Sequence, residues 1–214
     1  MSFLTRSSAK ITLGLIAINV LVWVGQMLPG STLTFQMAFT PISVFNEPWR
    51  MLTAGFAHSQ DNPLHLLLNM YSLYIFGSIL EPALGRARYI SVYLLSIFGS
   101  SVAVMYLNTP DSWVLGASGG VFGLMAAYFV VLRTLGTNAR GLLGLIAINL
   151  AFGFFIQGVS WQAHLGGLLA GGALTSVYAN TRGRNQKSAQ LVGAISVVIV
   201  FVGLTYWRMQ TMFS

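Results

Sequence analysis

Four polar side chains lie in stretches that otherwise read as lipid-embedded. Ser118 sits in Gly116-Ala117-Ser118-Gly119-Gly120, and His164 sits in Ala163-His164-Leu165-Gly166-Gly167. His65 and Asn69 are four residues apart in a third apolar stretch. Hydrocarbon penalises an ionisable group, so one retained there marks a functional site by default. A serine hydroxyl beside an imidazole is the minimum kit for nucleophilic catalysis. An amide and a second imidazole could serve as donors to the oxyanion that such a reaction creates. The chemistry depends on whether the chain brings these groups together.

The elements that must do so are membrane spans. The chain has 214 residues, 55% hydrophobic and only 7% charged, with a mean hydropathy of +0.72. A soluble domain of this size would have far too apolar a surface. The net charge of +7 could point to nucleic acid. However, the basic residues lie in small groups between apolar runs, where membrane topology explains them better. There is no cysteine, which excludes disulfides, a thiolate metal site and a cysteine nucleophile.

Seven apolar runs, roughly 11–28, 62–80, 88–108, 117–133, 141–158, 161–180 and 189–207, each approach the ~20 residues of one crossing. The first follows Arg6 and Lys10 as a signal peptide would, but Gln26-Met27-Leu28-Pro29 is a poor cleavage site, so it reads as a retained span. With the N-terminus inside, Arg6, Lys10, Arg86, Arg88, Arg133, Arg140, Arg182, Arg184 and Lys187 lie inside, and only Arg50 and Arg208 lie outside. That asymmetry sets the orientation and predicts an outer C-terminus. The long first outer connection, 29–61, carries Phe35, Met37, Phe39, Phe45 and Trp49 among its prolines. It reads as a loop in the interface with aromatic anchors.

Depth can be counted along each helix. Ser118 precedes Arg133 by fifteen residues, His164 precedes Asn180 by sixteen, and His65 and Asn69 precede Glu81 by sixteen and twelve. At ~1.5 Å per residue all four lie about 18–24 Å above the inner end, within about one helical turn. Ala163, Gly167 and Gly171 give the sixth span a small-residue face suited to close helix contact, and the fourth span opens on glycines. Ser118 also sits at a helix start, where free N–H groups favour developing negative charge. Plain helix packing, and an interhelical hydrogen-bonding role for His65 and Asn69, are the competing readings. Asp61 and Asp111 fall in outer loops, Glu47 in the interfacial loop and Glu81 at the inner end. No carboxylate is therefore placed to orient His164, which favours a Ser–His dyad over a triad. His58 reads as a loop or supporting residue. The absence of HExxH and of carboxylates at the histidine depth argues against a metal site.

These segments, with Trp49-Arg50 and Glu81-Pro82-Ala83-Leu84-Gly85, together resemble the rhomboid intramembrane serine proteases over roughly residues 10–180. The resemblance implies an all-α polytopic membrane protein, with a six-helix catalytic core over 1–187 and an additional C-terminal transmembrane helix over 188–214. It implies Ser118 as nucleophile and His164 as general base and acid, with His65, Asn69 and the Ser118 N–H binding the oxyanion. Phe122, four residues after the serine where the family often has tyrosine, can stack on His164 but offers no hydroxyl. The stretch from His58 to Asn69 is longer than in short members. The implied activity is serine endopeptidase cleavage of transmembrane helices near the outer face, without cofactor or metal. The implied partners are substrate helices and the bilayer, not nucleic acid, and the positive-inside pattern suits a bacterial plasma membrane. The alternatives are a non-catalytic rhomboid-like binder of transmembrane helices and a small transporter. The latter would be expected to show paired inverted repeats, which the sequence lacks.

Overall fold

A computed structural model describes residues 9–156, 158–183 and 186–213. Arg6 and Arg184, two of the residues predicted to lie inside, fall outside the described residues. The described chain is helical throughout, with one isolated two-residue bridge. Inside a bilayer this is the economical solution, because a helix satisfies its own backbone groups.

Helix α1 spans Lys10–Gln26, and the short α2 spans Leu33–Met37. After a 3-10 turn over Pro41–Phe45 comes α3, Arg50–Thr53. The longer α4 (Pro63–Leu84) and α5 (Arg86–Leu107) meet at Gly85, whose φ of +81° makes the sharp reversal that a side chain would oppose. The remaining helices are α6 (Ser118–Thr134), α7 (Arg140–Phe155), α8 (Trp161–Asn180) and α9 (Lys187–Thr211). Three of these, α4, α5 and α9, are long and apolar enough to cross a membrane, and α1, α6 and α7 are shorter apolar helices. Leu67, Leu68, Phe154, Ile199 and many other large apolar side chains are exposed, a surface that requires lipid. The protein is an integral membrane protein.

Helix α4 runs past the end expected at residue 80. Pro82 falls in its last turn, where losing one donor costs little and the helix is about to stop. Glu81 is buried there and accepts hydrogen bonds from the backbone N–H groups of Ile11 (3.0 Å) and Thr12 (2.8 Å) and from the Thr12 hydroxyl (2.9 Å). A carboxylate thus occupies the positive end of α1, whose first amides have no partner within the helix.

The centre of the molecule is a backbone-to-backbone contact among α5, α6 and α8. A Cβ on Gly167 would overlap the Gly119 carbonyl oxygen, one on Gly171 would lie 2.5 Å from Gly123 Cα, and one on Gly166 would overlap the Gly99 carbonyl. The small-residue face expected on the sixth span therefore does meet the Ser118 helix. Helix α5 is an additional partner not foreseen from sequence. Its Ser96 and Ser100 hydroxyls bond back to Val92 and Ser96 carbonyls and fill the space beside Gly123 and Gly119.

The connection predicted to lie outside is folded rather than splayed along the interface. Phe35, Phe45 and Trp49 are exposed as anchors would be, but Phe39 is not an anchor. It is fully buried, and its backbone pairs with Val114 through two 2.9 Å hydrogen bonds. This pairing satisfies polar backbone that burial would otherwise leave orphaned. Arg50 holds the segment by an ion pair to Glu47 (2.7 Å) and a bond to the Ala38 carbonyl (3.3 Å).

Candidate active site

Ser118 is the first residue of α6, preceded by a turn that only glycine can make. Gly116 has φ +124°, and the His65 ring lies 2.7 Å from where its Cβ would be. The Gly116 N–H is fixed by the Ala54 carbonyl at 2.9 Å. The turn thus ends α6 on its serine, with the amides of the first helical turn having no acceptor within the helix.

His164 belongs to the first turn of α8. That turn is capped by Ser160, whose hydroxyl accepts from the Ala163 N–H at 3.2 Å. The Gly119–Gly167 approach brings the two helix starts side by side, and Ser118 Oγ lies 3.0 Å from His164 Nε2. Phe122, one turn below Ser118, stacks on the imidazole with ring centres 4.1 Å apart and planes 12° apart. His164 Nδ1 is buried with no hydrogen-bond partner among the described residues. The histidine is therefore aligned by stacking and helix position, with no carboxylate bound to it. A hydroxyl at hydrogen-bonding distance from a ring nitrogen is the geometry that general-base activation requires.

His65 and Asn69 share the cavity face of α4. Asn69 Nδ2 donates to the His65 carbonyl at 2.8 Å, which leaves its second amide hydrogen for another acceptor. His65 Nδ1 accepts from the Ser59 N–H at 3.4 Å. That bond assigns the ring proton to Nε2, on the Gly116 side of the ring. His58 is wholly buried behind them, 5.2 Å from His65 ring to ring. Burial first, and the neighbouring His65 second, lower its pKa to about 4. It stays neutral, and its Nε2 faces the Ala117 N–H at 3.5 Å. Gln26 holds the His58 backbone, donating to its carbonyl (2.9 Å) and accepting from its N–H (3.0 Å). Sequence reasoning missed this clamp, although a glutamine at the outer end of an apolar run was its signal.

Ser118, His164, His65 and Asn69 all line one cavity of about 530 Å³. Its walls are α4, α6, α7, the start of α8 and residues 158–160, with α5 at its back. Among the described residues no three His, Asp or Glu side chains converge in a way that could hold a metal ion.

Comparison with known proteins decides the family. Residues 46–181 match the model of the Rhomboid domain, more than half of the chain and the whole of the site. The chain belongs to the rhomboid family. It is 33% identical over 171 residues to rhomboid protease GluP of Bacillus subtilis (strain 168), a match covering 74% of this chain and 32% of that protein. It is 40% identical over 134 residues to RHOMBOID-like protein 6, mitochondrial, of Arabidopsis thaliana, covering 59% of this chain and 42% of that protein. A third relative, putative rhomboid protease YdcA of Bacillus subtilis (strain 168), is 31% identical over 167 residues and is covered over 82% of its length. The match thus spans 32% and 42% of the length of the first two rhomboid relatives, under half of each. Two of these three relatives carry protease names.

Proposed function

We propose that the protein is an intramembrane serine endopeptidase working through a Ser118–His164 dyad. The observation that carries this reading is the 3.0 Å approach of Ser118 Oγ to His164 Nε2 inside a cavity walled by membrane helices. The protease names of the relatives GluP and YdcA support it.

In this mechanism Ser118 Oγ attacks the carbonyl carbon of the scissile peptide as its proton passes to His164 Nε2. The tetrahedral oxyanion is met by the Ser118 N–H, the free Asn69 amide hydrogen and His65 Nε2–H. Collapse breaks the C–N bond, and His164 returns the proton to the leaving amine. Water then repeats the sequence on the acyl-enzyme, releasing a carboxylic acid and restoring Ser118. Phe122 keeps the imidazole in plane throughout, and no metal or organic cofactor takes part.

The substrates are transmembrane helices of other proteins, cut near the outer face. Leu68, Tyr71 and Ile75 of α4 and Leu145 and Phe152 of α7 line the cavity and are also exposed. The cavity is therefore reached from lipid between α4 and α7. Helices α1 and α4–α8, residues 1–187, form a six-helix core with the N-terminus inside. Helix α9, which begins at Lys187 and takes up most of 188–214, is a seventh crossing that puts the C-terminus outside, in an orientation suited to a bacterial plasma membrane.

The test is cleavage of a single-span substrate by the detergent-solubilised protein, alongside labelling by a fluorophosphonate. Ser118→Ala and His164→Ala should each abolish cleavage, and the double variant should be no worse than either, because residues acting as one unit are not additive. A wild-type protein that binds the substrate helix but neither labels nor cleaves would instead be a non-catalytic binder.

A further inference from the structure

Asn149 and Ser72 line the cavity and have no part in the chemistry above. Helix α7 reads Arg140-Gly-Leu-Leu-Gly-Leu-Ile-Ala-Ile-Asn149-Leu-Ala-Phe-Gly-Phe-Phe155, and after Arg140 its single polar side chain is Asn149. The residues of α7 that line the cavity are Leu145, Asn149 and Phe152. They are spaced four and three apart, which places them on one helical stripe. Asn149 thus points its amide at the cavity wall in the middle of an apolar stripe. Its Nδ2 donates to the Leu145 carbonyl at 2.8 Å. Its Oδ1 and second amide hydrogen make no hydrogen bond among the described residues.

Facing it across the cavity is α4, whose lining residues include Ser72. Ser72 precedes Glu81 by nine residues, and Glu81 marks the inner end by capping α1. Asn149 follows Arg140, at the inner end of α7, by the same nine residues. Both side chains therefore lie about 14 Å above the inner end, level with one another. Ser118, fifteen residues above Arg133, is about 9 Å further out.

An uncompensated amide on a lipid-facing helix is costly, and apolar packing gives no reason for one on this stripe. A substrate helix gives such a reason, because it must unwind to expose a carbonyl to Ser118. Unwinding strips backbone N–H and C=O groups of their partners within the membrane, where replacement partners are scarce. Asn offers one donor and one acceptor to such a strand, and Ser offers either.

We infer that Asn149 and Ser72 form a polar rung that binds the unwound backbone of the substrate on the inward side of the scissile bond. A span of about 9 Å at ~3.3 Å per extended residue puts the contact two or three residues beyond the cut. The inference builds on the proteolytic reading of the same cavity, and it makes the rung a substrate-binding element, not a catalytic one.

The experiment separates the two. A single-span substrate peptide is bound to the Ser118→Ala protein and to Ser118→Ala carrying Asn149→Leu, with Asn149→Gln as the conservative comparison. Cleavage kinetics and fluorophosphonate labelling are measured for Asn149→Leu with Ser118 intact. The expected result is peptide binding weakened at least about fivefold by Asn149→Leu, the order of one or two lost hydrogen bonds. Cleavage should show a raised KM, labelling by the small probe should keep its wild-type rate, and Asn149→Gln should recover part of the binding. Unchanged peptide affinity in Asn149→Leu overturns the rung. So does an equal loss of labelling and cleavage, which would make Asn149 a structural residue of the site. Peptide binding that depends on Asn149 in a wild-type protein that never cleaves would leave the rung in place and remove the proteolytic reading.

Discussion

At the residue scale, the site divides into what composition exposes and what only packing can show. Ser118 and His164 were legible because a serine and a histidine among glycines at matched depth are rare company in an apolar chain. Phe122 was legible only through the family resemblance, which places an aromatic residue four after the serine. Asn69 lines the cavity together with His65, whose helix face it is expected to share, but its bond to the His65 carbonyl was not foreseen. That bond sharpens its expected role. One amide hydrogen is tied back into α4 and holds the side chain in a fixed rotamer, so the other is preorganised at no further entropic cost. Asn69→Ala should lower kcat by roughly 10- to 1000-fold, as removal of a single oxyanion donor does, and leave the thermal unfolding midpoint close to wild type. Cleavage at the wild-type rate would reduce Asn69 to a packing residue.

At the element scale, the helix positions were readable from hydropathy, with ends displaced by a few residues. What hid the third member of the central contact was chemistry of the wrong kind. Helix α5 carries no histidine and no functional amide, so counting depths gave no reason to bring it beside α6 and α8. Its signal was the run of small residues Ser96, Gly99 and Ser100, which lets three backbones meet. Phe39 misled for the opposite reason, since an aromatic residue in an interfacial loop has the composition of an anchor whether it faces lipid or core. The contact makes a strong prediction about geometry. At Gly167 the neighbour is the Gly119 backbone carbonyl, which cannot rotate away as a side chain could, so Gly167→Val must push α6 and α8 apart. A shift of about 1 Å at Ser118 can cost ~100-fold in rate. Gly167→Val should therefore lose cleavage and fluorophosphonate labelling together. Gly144→Val on α7, where a Cβ meets nothing within 4 Å, should retain both. An active Gly167→Val protein would show that the α6–α8 approach does not set the dyad distance.

At the scale of the whole molecule, the question is what α9 contributes to a site it does not line. It has no buried residue along its helical length and leans on α5 and α8. Its polar ties are few: near its start Gln190 donates to Thr181 and accepts from Arg88, and near its end the Leu204 carbonyl accepts from the Tyr106 hydroxyl and Arg208 donates to the Met105 carbonyl at 2.8 Å. Beyond the helix, Met212 is buried in the cluster that holds Phe39, Val44 and Met51, and Phe213 stacks on Phe45 at 5.9 Å. The end of α9 thus props the folded outer connection, whose Phe39–Val114 pairing precedes the Gly116 turn. None of the residues bonded to Ser118, His164, His65 or Asn69 belongs to α9. A chain truncated after Lys187 should therefore insert, keep the Ser118–His164 distance and label with a fluorophosphonate at a rate within a few-fold of the full chain. It should unfold at lower temperature, because the outer connection loses the Met212 and Phe213 contacts. Restoring only the helix, by ending the chain after Thr211, should leave much of that thermal deficit in place. A truncation that stays folded by circular dichroism and elutes as a single species but fails to label would make α9 part of the catalytic core, and would rule out residues 1–187 as a self-sufficient unit.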